Sequence, residues 1–138
     1  MISADNENER LVLKWFDRLS AGDFPALRSL LHPEATWSVQ VSGVQAAGSH
    51  RGPQGIVDDF LMPVRLGLFR EGDPKLPVQS ICSKGALVAV ETLGIGKMKD
   101  GRDYSNRYCW VVEVKDGKIF AVREYMDSYY VSTLAQTP

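Results

Sequence analysis

The chain of 138 residues lacks the features that mark several large classes of protein. No apolar run approaches the roughly 18 residues that cross a bilayer, and the opening residues MISADNENER contain no basic segment followed by an apolar one. The net charge is -1 and the Lys and Arg residues are scattered, which indicates no surface for nucleic acid. These absences predict a cytoplasmic protein that binds neither membranes nor nucleic acid.

Residues that hold metals and cofactors are equally scarce. The two histidines, His32 and His50, are far apart and show no HxH or HxxxH spacing. The two cysteines, Cys82 and Cys109, lie in predicted strands without metal-ligand spacing, and we expect them to be reduced, buried, small apolar residues. No glycine-rich loop leads from a strand into a helix. The sequence therefore predicts neither a metal site nor a cofactor.

Hydrophobic periodicity predicts helices in the first half of the chain. Apolar residues at four-residue spacing predict a helix from about Asn6 to Ala21. Asp23 is typical of an N-cap and precedes a second helix over Phe24 to Leu31. Pro53 then begins a third helical stretch, which Pro63 is expected to end or kink.

Alternation of apolar and polar side chains predicts strands elsewhere. The first covers Ala35 to Val41, and the small, polar stretch Gly43 to Gly52 after it is expected to be a loop. Tight turns at Lys84-Gly85, Asp100-Gly101 and Asp116-Gly117 separate four further strands. These are expected at Val78 to Ser83, Ala86 to Met98, Arg102 to Lys115 and Lys118 to about Tyr130.

This order of elements predicts an α+β fold in which a curved antiparallel sheet wraps around the N-terminal helices. Such a sheet forms a cone whose open end is a natural pocket. With 44% hydrophobic residues the chain can bury a core, and we expect a single domain over residues 1–138 with an ordered core at about 6–132.

The predicted strand before Asp116 has two distinct faces. Tyr104, Asn106, Tyr108 and Trp110 alternate along it and share one face, which is unusually polar for a sheet interior and therefore suits the lining of a pocket. The opposite face, which carries Cys109 and Val111 among others, is too apolar for a monomer, so we expect a homodimer formed between two sheets.

Three stretches carry a resemblance to a known family: WFDRLSAGDFPALRSLLHPEATW, GSHRGPQGIVDDF and VVEVKDGKIFAVREYMD. They resemble the nuclear-transport-factor-2-like superfamily, in particular its SnoaL-like branch, which is related to ketosteroid isomerase. The resemblance covers nearly the whole chain and implies a cystatin-like cone fold and a homodimer. It does not imply one reaction, because the fold hosts isomerases, cyclases, epoxide hydrolases, dehydratases and proteins without known chemistry.

Two enzymes related to this branch supply residue sets for comparison. In ketosteroid isomerase the base is an aspartate of the first strand, whose place Val39 takes here, while Trp15 and Asn106 take the places of its two hydrogen-bond donors. In limonene epoxide hydrolase the acid-base aspartate corresponds to Asp127, but its Arg-x-Asp pair falls on Glu91 and Leu93. Neither set is complete, whereas the single acid-base aspartate of SnoaL-like polyketide cyclases could be Asp127.

The resemblance therefore makes Asp127 the first candidate for acid-base chemistry, with capping of the last strand or pairing with an arginine as the alternative. Glu91 is the second, because it alternates with apolar residues; it either shares a site with Asp127 or is a solvated or ion-paired residue of the strand. His50, in a loop that overhangs the pocket in relatives, could be an acid, a base or a ligand contact, or could simply bond to backbone. Arg107 or Arg123 could bind an anionic group.

The predicted function is cofactor-independent acid-base chemistry on a small hydrophobic, oxygenated molecule: isomerisation, aldol-type cyclisation or dehydration. Tyr108, Asn106 or His50 would polarise the substrate. The aromatic residues expected to contact it are Trp15, Trp37, Trp110 and Tyr125, and Val39 is a further expected contact. The alternative is a non-catalytic domain that binds a small ligand or a protein; a pocket filled by aromatic residues, with both acids at the surface, would favour it.

Overall fold

The chain forms a curved six-stranded sheet packed against helices in a computed structural model that describes residues 2–44 and 47–135. The helices are α1 (Glu7–Ala21), α2 (Phe24–Leu30), a π-helical segment (Gln54–Leu61) that continues into α3 (Met62–Leu68), and α4 (Ser128–Leu134). The strands are β1 (Leu31–Val39), β2 (Gly48–Arg51), β3 (Val78–Lys84), β4 (Leu87–Lys97), β5 (Asp103–Lys115) and β6 (Lys118–Met126). The predicted α+β class, with a curved sheet around helices, is confirmed.

The strand order is β2-β1-β6-β5-β4-β3. The predicted antiparallel pairing of successive strands from β3 to β6 is confirmed, and the turns between them lie at the glycines where they were predicted. However, β1 pairs with β6 in parallel, so the sheet is mixed. The edge strand β2 lies inside the stretch predicted to be a loop. It is a strand because it pairs with β1, and its own residues do not alternate in polarity.

Helix α1 forms because its ends are capped and one side is apolar. The Asn6 side chain accepts a hydrogen bond from the Glu9 backbone N–H, and Gly22 ends the helix at φ 68°. Arg65 of α3 donates to the carbonyls of Leu19 and Ser20 at 2.8 and 2.9 Å, which satisfies the C-terminal end of α1. These bonds fix α1 and α3 against one another beneath the concave side of the sheet.

Pro63, expected to end or kink the third helical stretch, lies in the first turn of α3, which needs no N–H from that residue. The stretch therefore does not end at Pro63 but changes there from the π-helical segment to α3. Two predicted strand boundaries are wrong. Strand β6 ends at Met126, and the chain continues as α4. Strand β1 starts four residues before the predicted Ala35, since it follows directly on α2.

The alternation predicted for β5 is confirmed. Tyr104, Asn106 and Trp110 are buried on the concave face, and Tyr108 is half-buried beside them. Cys109 lies on the opposite face and is exposed, as is Cys82 of β3, so the expectation that both cysteines are buried is wrong. Both thiols are free.

No helix in residues 2–44 and 47–135 is long and apolar enough to cross a membrane.

Candidate active site

A cavity of about 380 Å³ lies between the concave face of the sheet and the helices. Its walls come from β1, β5 and β6 on one side and from the π-helical segment, α3 and α4 on the other. Most of the lining is apolar and aromatic, as expected for a small-molecule pocket. The site is therefore defined by the few polar groups that reach this lining.

Glu124 is the acidic residue of the cavity. It stands on β6 between Val122 and Met126, and alternation along the strand turns it to the concave face. Its side chain is only 7% exposed, and Trp37 Nε1 donates a hydrogen bond to Glu124 Oε1 at 2.9 Å. Burial raises the pKa of Glu124 to about 7, although the bond from Trp37 acts in the opposite direction. Glu124 can therefore take up and release a proton near neutral pH.

Two phenols of β5 line the same cavity. The hydroxyl groups of Tyr104 and Tyr108 are hydrogen-bonded to each other, and Asn106 Nδ2 donates to the Tyr104 hydroxyl at 3.0 Å. Burial raises the pKa of both tyrosines, and the charge of Glu124 raises each of them further. Both phenols are therefore protonated at neutral pH and can serve as hydrogen-bond donors.

The aromatic rings around these phenols hold them in place. Tyr108 stacks on Trp110 with ring centroids 4.9 Å apart, and Trp110 Nε1 donates to Thr92 Oγ1 at 2.9 Å. Gly94 of β4, which is paired with Asn106, lies against the Tyr108 ring, and a Cβ atom at Gly94 would come within 2.6 Å of that ring. The absence of a side chain at Gly94 thus makes room for the ring.

These groups define the chemistry that the cavity can perform. An acid with a pKa near 7 and a phenol donor line a mostly apolar, aromatic cavity, where hydrogen bonds to a developing oxyanion are stronger than in bulk water. Glu124 can remove a proton from a carbon acid while Tyr108 donates to the oxygen that becomes negative.

The structure brings together only part of the predicted site. Trp37, Trp110 and Tyr108 line the cavity. Asn106 is buried and does not line the cavity; its side chain donates a hydrogen bond to Tyr104, which does. The other predicted contact residues do not line it: Val39 and Trp15 are buried in the core, and Tyr125 is exposed on the outer face of the sheet.

The three predicted acid-base residues lie outside the cavity lining and apart from one another. Asp127 is exposed and caps α4, accepting from the Tyr130 N–H at 3.1 Å. Glu91 is exposed on the outer face of β4, where Ser80 Oγ donates to it at 2.7 Å.

His50 is paired with Trp37 across β2 and β1, and its ring stacks on that of Phe60 with centroids 4.0 Å apart. Phe60 lines the cavity and His50 does not. Burial lowers the pKa of His50, an effect that nearby Asp59 opposes. The chemical roles predicted for His50, Asp127 and Glu91 stay predictions, but none of them has the position that a group acting inside this cavity needs.

Reasoning from the sequence missed Glu124. The available signal was a charged residue at an inward position of the last strand, between Val122 and Met126. The resemblance to enzymes with an acid at the end of this strand directed attention to Asp127 instead. No group of three or more His, Cys, Asp and Glu side chains suited to a metal ion occurs in the described parts of the chain.

Comparison with known proteins identifies the family and the fold of the chain. A family model described as a SnoaL-like domain matches residues 12–122. No curated protein matches the chain.

Solved structures, in contrast, match over nearly the full chain. An NTF2-like protein of unknown function from Burkholderia pseudomallei has a TM-score of 0.83 at 16% identity, over 96% of this chain and 99% of that one. A putative SnoaL-like polyketide cyclase from Jannaschia has a TM-score of 0.79 at 16% identity, over 100% and 99%. TerC, co-crystallised with polyporic acid, has a TM-score of 0.79 at 20% identity, over 94% and 98%. At these identities the structures are evidence for the fold alone.

Proposed function

The chain belongs to the SnoaL-like domain family, and on that premise we propose that it catalyses cofactor-independent acid-base chemistry on a small, mostly apolar, oxygenated molecule. The observation that carries this proposal is Glu124, a buried carboxyl group with a pKa of about 7 that faces an otherwise apolar cavity. The charged form of a carboxyl group is destabilised in such a place. This lowers the stability of the folded protein, but it gives the group a pKa suited to proton transfer.

Each polar group has a role in the proposed reaction. Glu124 removes a proton from a carbon atom next to a carbonyl group, and the electron pair moves to the carbonyl oxygen. Tyr108 donates a hydrogen bond to that oxygen, and Tyr104 and Asn106 hold Tyr108 in place. Protonated Glu124 then returns the proton to the same or another carbon, to a leaving hydroxyl group, or, where the enolate carbon has attacked a second carbonyl group, to the alkoxide so formed. Isomerisation, aldol-type cyclisation and dehydration all share this first step.

The cavity also indicates the class of ligand. Its volume of about 380 Å³ lies in the range typical of small-molecule sites. Trp37 and Trp110 meet edge to face at 5.6 Å, and Tyr108 stacks on Trp110, so the walls are flat aromatic surfaces. Such walls suit a flat molecule with few oxygens. The names of two proteins of the same fold, a putative polyketide cyclase and one co-crystallised with polyporic acid, support this choice.

The proposal is tested by proton exchange rather than by a guessed product. A panel of enolisable aromatic ketones is incubated with the protein in D₂O, and exchange of the proton next to the carbonyl is followed by NMR. We expect Glu124→Gln to slow exchange by about 10² to 10⁴-fold and Tyr108→Phe by about 10²-fold. Asp127→Asn, which preserves a helix cap, is the matched variant. An equal loss in Asp127→Asn would return the acid-base role to Asp127 and contradict the assignment to Glu124.

A non-catalytic ligand-binding domain is the second candidate. It is favoured by the surface positions of Asp127 and Glu91, because these were the two acids first expected to act in the pocket. The cavity is not filled by its aromatic residues, however, so only one of the two conditions set for this candidate is met. Ligands that bind wild type and Glu124→Gln equally well, with no proton exchange by wild type, would decide for it.

We further propose that the chain is a homodimer formed through the outer face of the sheet. Leu87, Ile95 and Tyr125, three large apolar side chains on that face, are 44%, 44% and 41% exposed, and exposed apolar surface is characteristic of interaction sites where it is contiguous. Sedimentation velocity of wild type and of Ile95→Lys tests this. A monomeric wild type would contradict it.

A further inference from the structure

Helix α4 forms one wall of the cavity and is only partly buried, with Tyr130 and Leu134 packed against the cluster of Phe69, Met98 and Tyr104. Val131 and Leu134 line the cavity, yet no residue of the helix is buried. A helix of seven residues is not stable in isolation. Its position therefore depends on the side chains that tie it to the sheet.

Tyr130 provides the central tie. Pairing of β5 with β6 begins at Tyr108 and Met126, so the earlier part of β5 has no strand partner on that side. The Ser105 N–H donates to the Tyr130 hydroxyl at 3.0 Å, and this hydroxyl donates to the Asp103 carbonyl at 3.3 Å. The phenol hydroxyl thus forms hydrogen bonds with two backbone groups that would otherwise bond to a neighbouring strand.

A second tie holds the end of the helix. Arg102 Nη2 donates to the Leu134 carbonyl at 3.1 Å. This carbonyl belongs to the last turn of α4, where carbonyl groups have no partner within the helix. Both ties join α4 to the start of β5, close to the phenol pair.

Tyr130 also contacts that pair. Its ring lies 5.8 Å from the ring of Tyr104, and Phe69 meets Tyr104 edge to face at 5.0 Å on another side. Tyr104 is consequently only 6% exposed, and its hydroxyl is bonded to that of Tyr108. Undocking α4 would remove one wall from around Tyr104.

We propose that Tyr130 is a positioning residue and α4 a lid: docking through the Tyr130 hydroxyl shields Tyr104 from water and aligns the Tyr104–Tyr108 pair, and undocking admits the ligand. The role of the pair rests on the proposed function, whereas the docking equilibrium does not. Tyr130 acts through Tyr104 and has no contact with the reacting atoms in this mechanism.

The chain offers a matched pair of variants. Tyr130→Phe removes the hydroxyl and keeps the ring, while Tyr129→Phe makes the same change on the same helix at a side chain that is 76% exposed. Loss of the two bonds should raise the population of the undocked helix about tenfold. The probe is 1-anilinonaphthalene, whose association is followed by stopped-flow fluorescence.

Two signals report undocking of α4. Tyr130→Phe should bind the probe up to about tenfold faster, and its remaining tyrosines should titrate at lower pH by absorbance at 295 nm, because water reaches Tyr104. Tyr129→Phe should bind the probe at the wild-type rate. Arg102→Gln, which cuts the second tie, should also bind the probe faster than wild type, in the direction of Tyr130→Phe; its tyrosine titration does not report docking, because Arg102 interacts electrostatically with Tyr130.

Hydrogen exchange separates lid opening from general destabilisation. The amides of α4 and of Ser105 should exchange faster in Tyr130→Phe, while those of β4 should be unchanged. Equal behaviour of Tyr130→Phe and Tyr129→Phe, or faster exchange throughout the sheet, would overturn the proposal. None of these measurements requires turnover, so absence of proton exchange on substrate would refute the proposed function and leave the lid standing.

Discussion

The pKa of Glu124 has a direct consequence for stability. A carboxyl group with an ordinary pKa of 4.5 in the unfolded chain and about 7 in the folded protein binds its proton more tightly when folded. The folded state then holds more protons than the unfolded state between these two values, so the free energy of unfolding falls as the pH rises. A difference of about 2.5 pKa units corresponds to about 3 kcal/mol.

Glu124→Gln isolates this effect. Glutamine has nearly the same shape, and its carbonyl oxygen can still accept from Trp37 Nε1. Wild type should lose about 2.5 kcal/mol relative to the variant between pH 5 and pH 8, since most of the carboxyl groups become charged in that interval. At pH 8 the variant should be the more stable of the two, and at pH 5 the two should be similar.

Urea unfolding of both proteins at pH 5 and pH 8 measures the difference. Other groups cancel in this comparison, including His50, whose lowered pKa makes stability rise with pH and so opposes Glu124. Glu91→Gln is the control, because Glu91 is exposed. Parallel pH dependence of wild type and Glu124→Gln would show that Glu124 has an ordinary pKa, and the acid-base role would lose its basis.

Two further predictions concern the surroundings of the site. Trp37→Phe removes the hydrogen bond that lowers the pKa of Glu124, so the pH profile of proton exchange should move upward by about one unit; an unchanged profile would contradict the assignment of that profile to Glu124. Gly94→Ala places a methyl group 2.6 Å from the Tyr108 ring and should cost about 1 to 3 kcal/mol in urea unfolding, with weaker ligand binding. Gly67→Ala, where a Cβ meets nothing within 4 Å, is the control, and equal effects of the two would exclude crowding of Tyr108.

Much of the fold follows from local signals in the sequence. Asn6, Asp23 and the glycines of the turns act on neighbouring residues, so their effects can be read from sequence positions. Alternation on β5 correctly grouped Tyr104, Asn106 and Trp110 on one face, because side chains of a strand point to opposite sides whatever the strand pairs with. The family resemblance predicted from the sequence is confirmed by the family model.

Features that depend on distant parts of the chain were missed. Strand β2 is an edge strand that pairs with β1, and β1 pairs in parallel with β6. Helix α4 depends on Tyr130 reaching the free edge of β5. β6 lies far from β1 in sequence, and Ser105 lies 25 residues before Tyr130, so local propensity contains no record of these contacts. Strand β2 is near β1 in sequence, but its own residues do not alternate in polarity.

The candidate site shows the same division. The sequence by itself determined α1, α2 and the strands β3 to β5, which residues share a face of β5, and that the family fold would enclose a pocket, but it did not predict β2 or α4. Only the tertiary structure decided which acid occupies that pocket: it turned Glu124 inward beneath Trp37 and used Asp127 to cap a helix. The physical reason is that a carboxyl group acquires a pKa near 7 from burial, and burial is produced by residues far away in the chain.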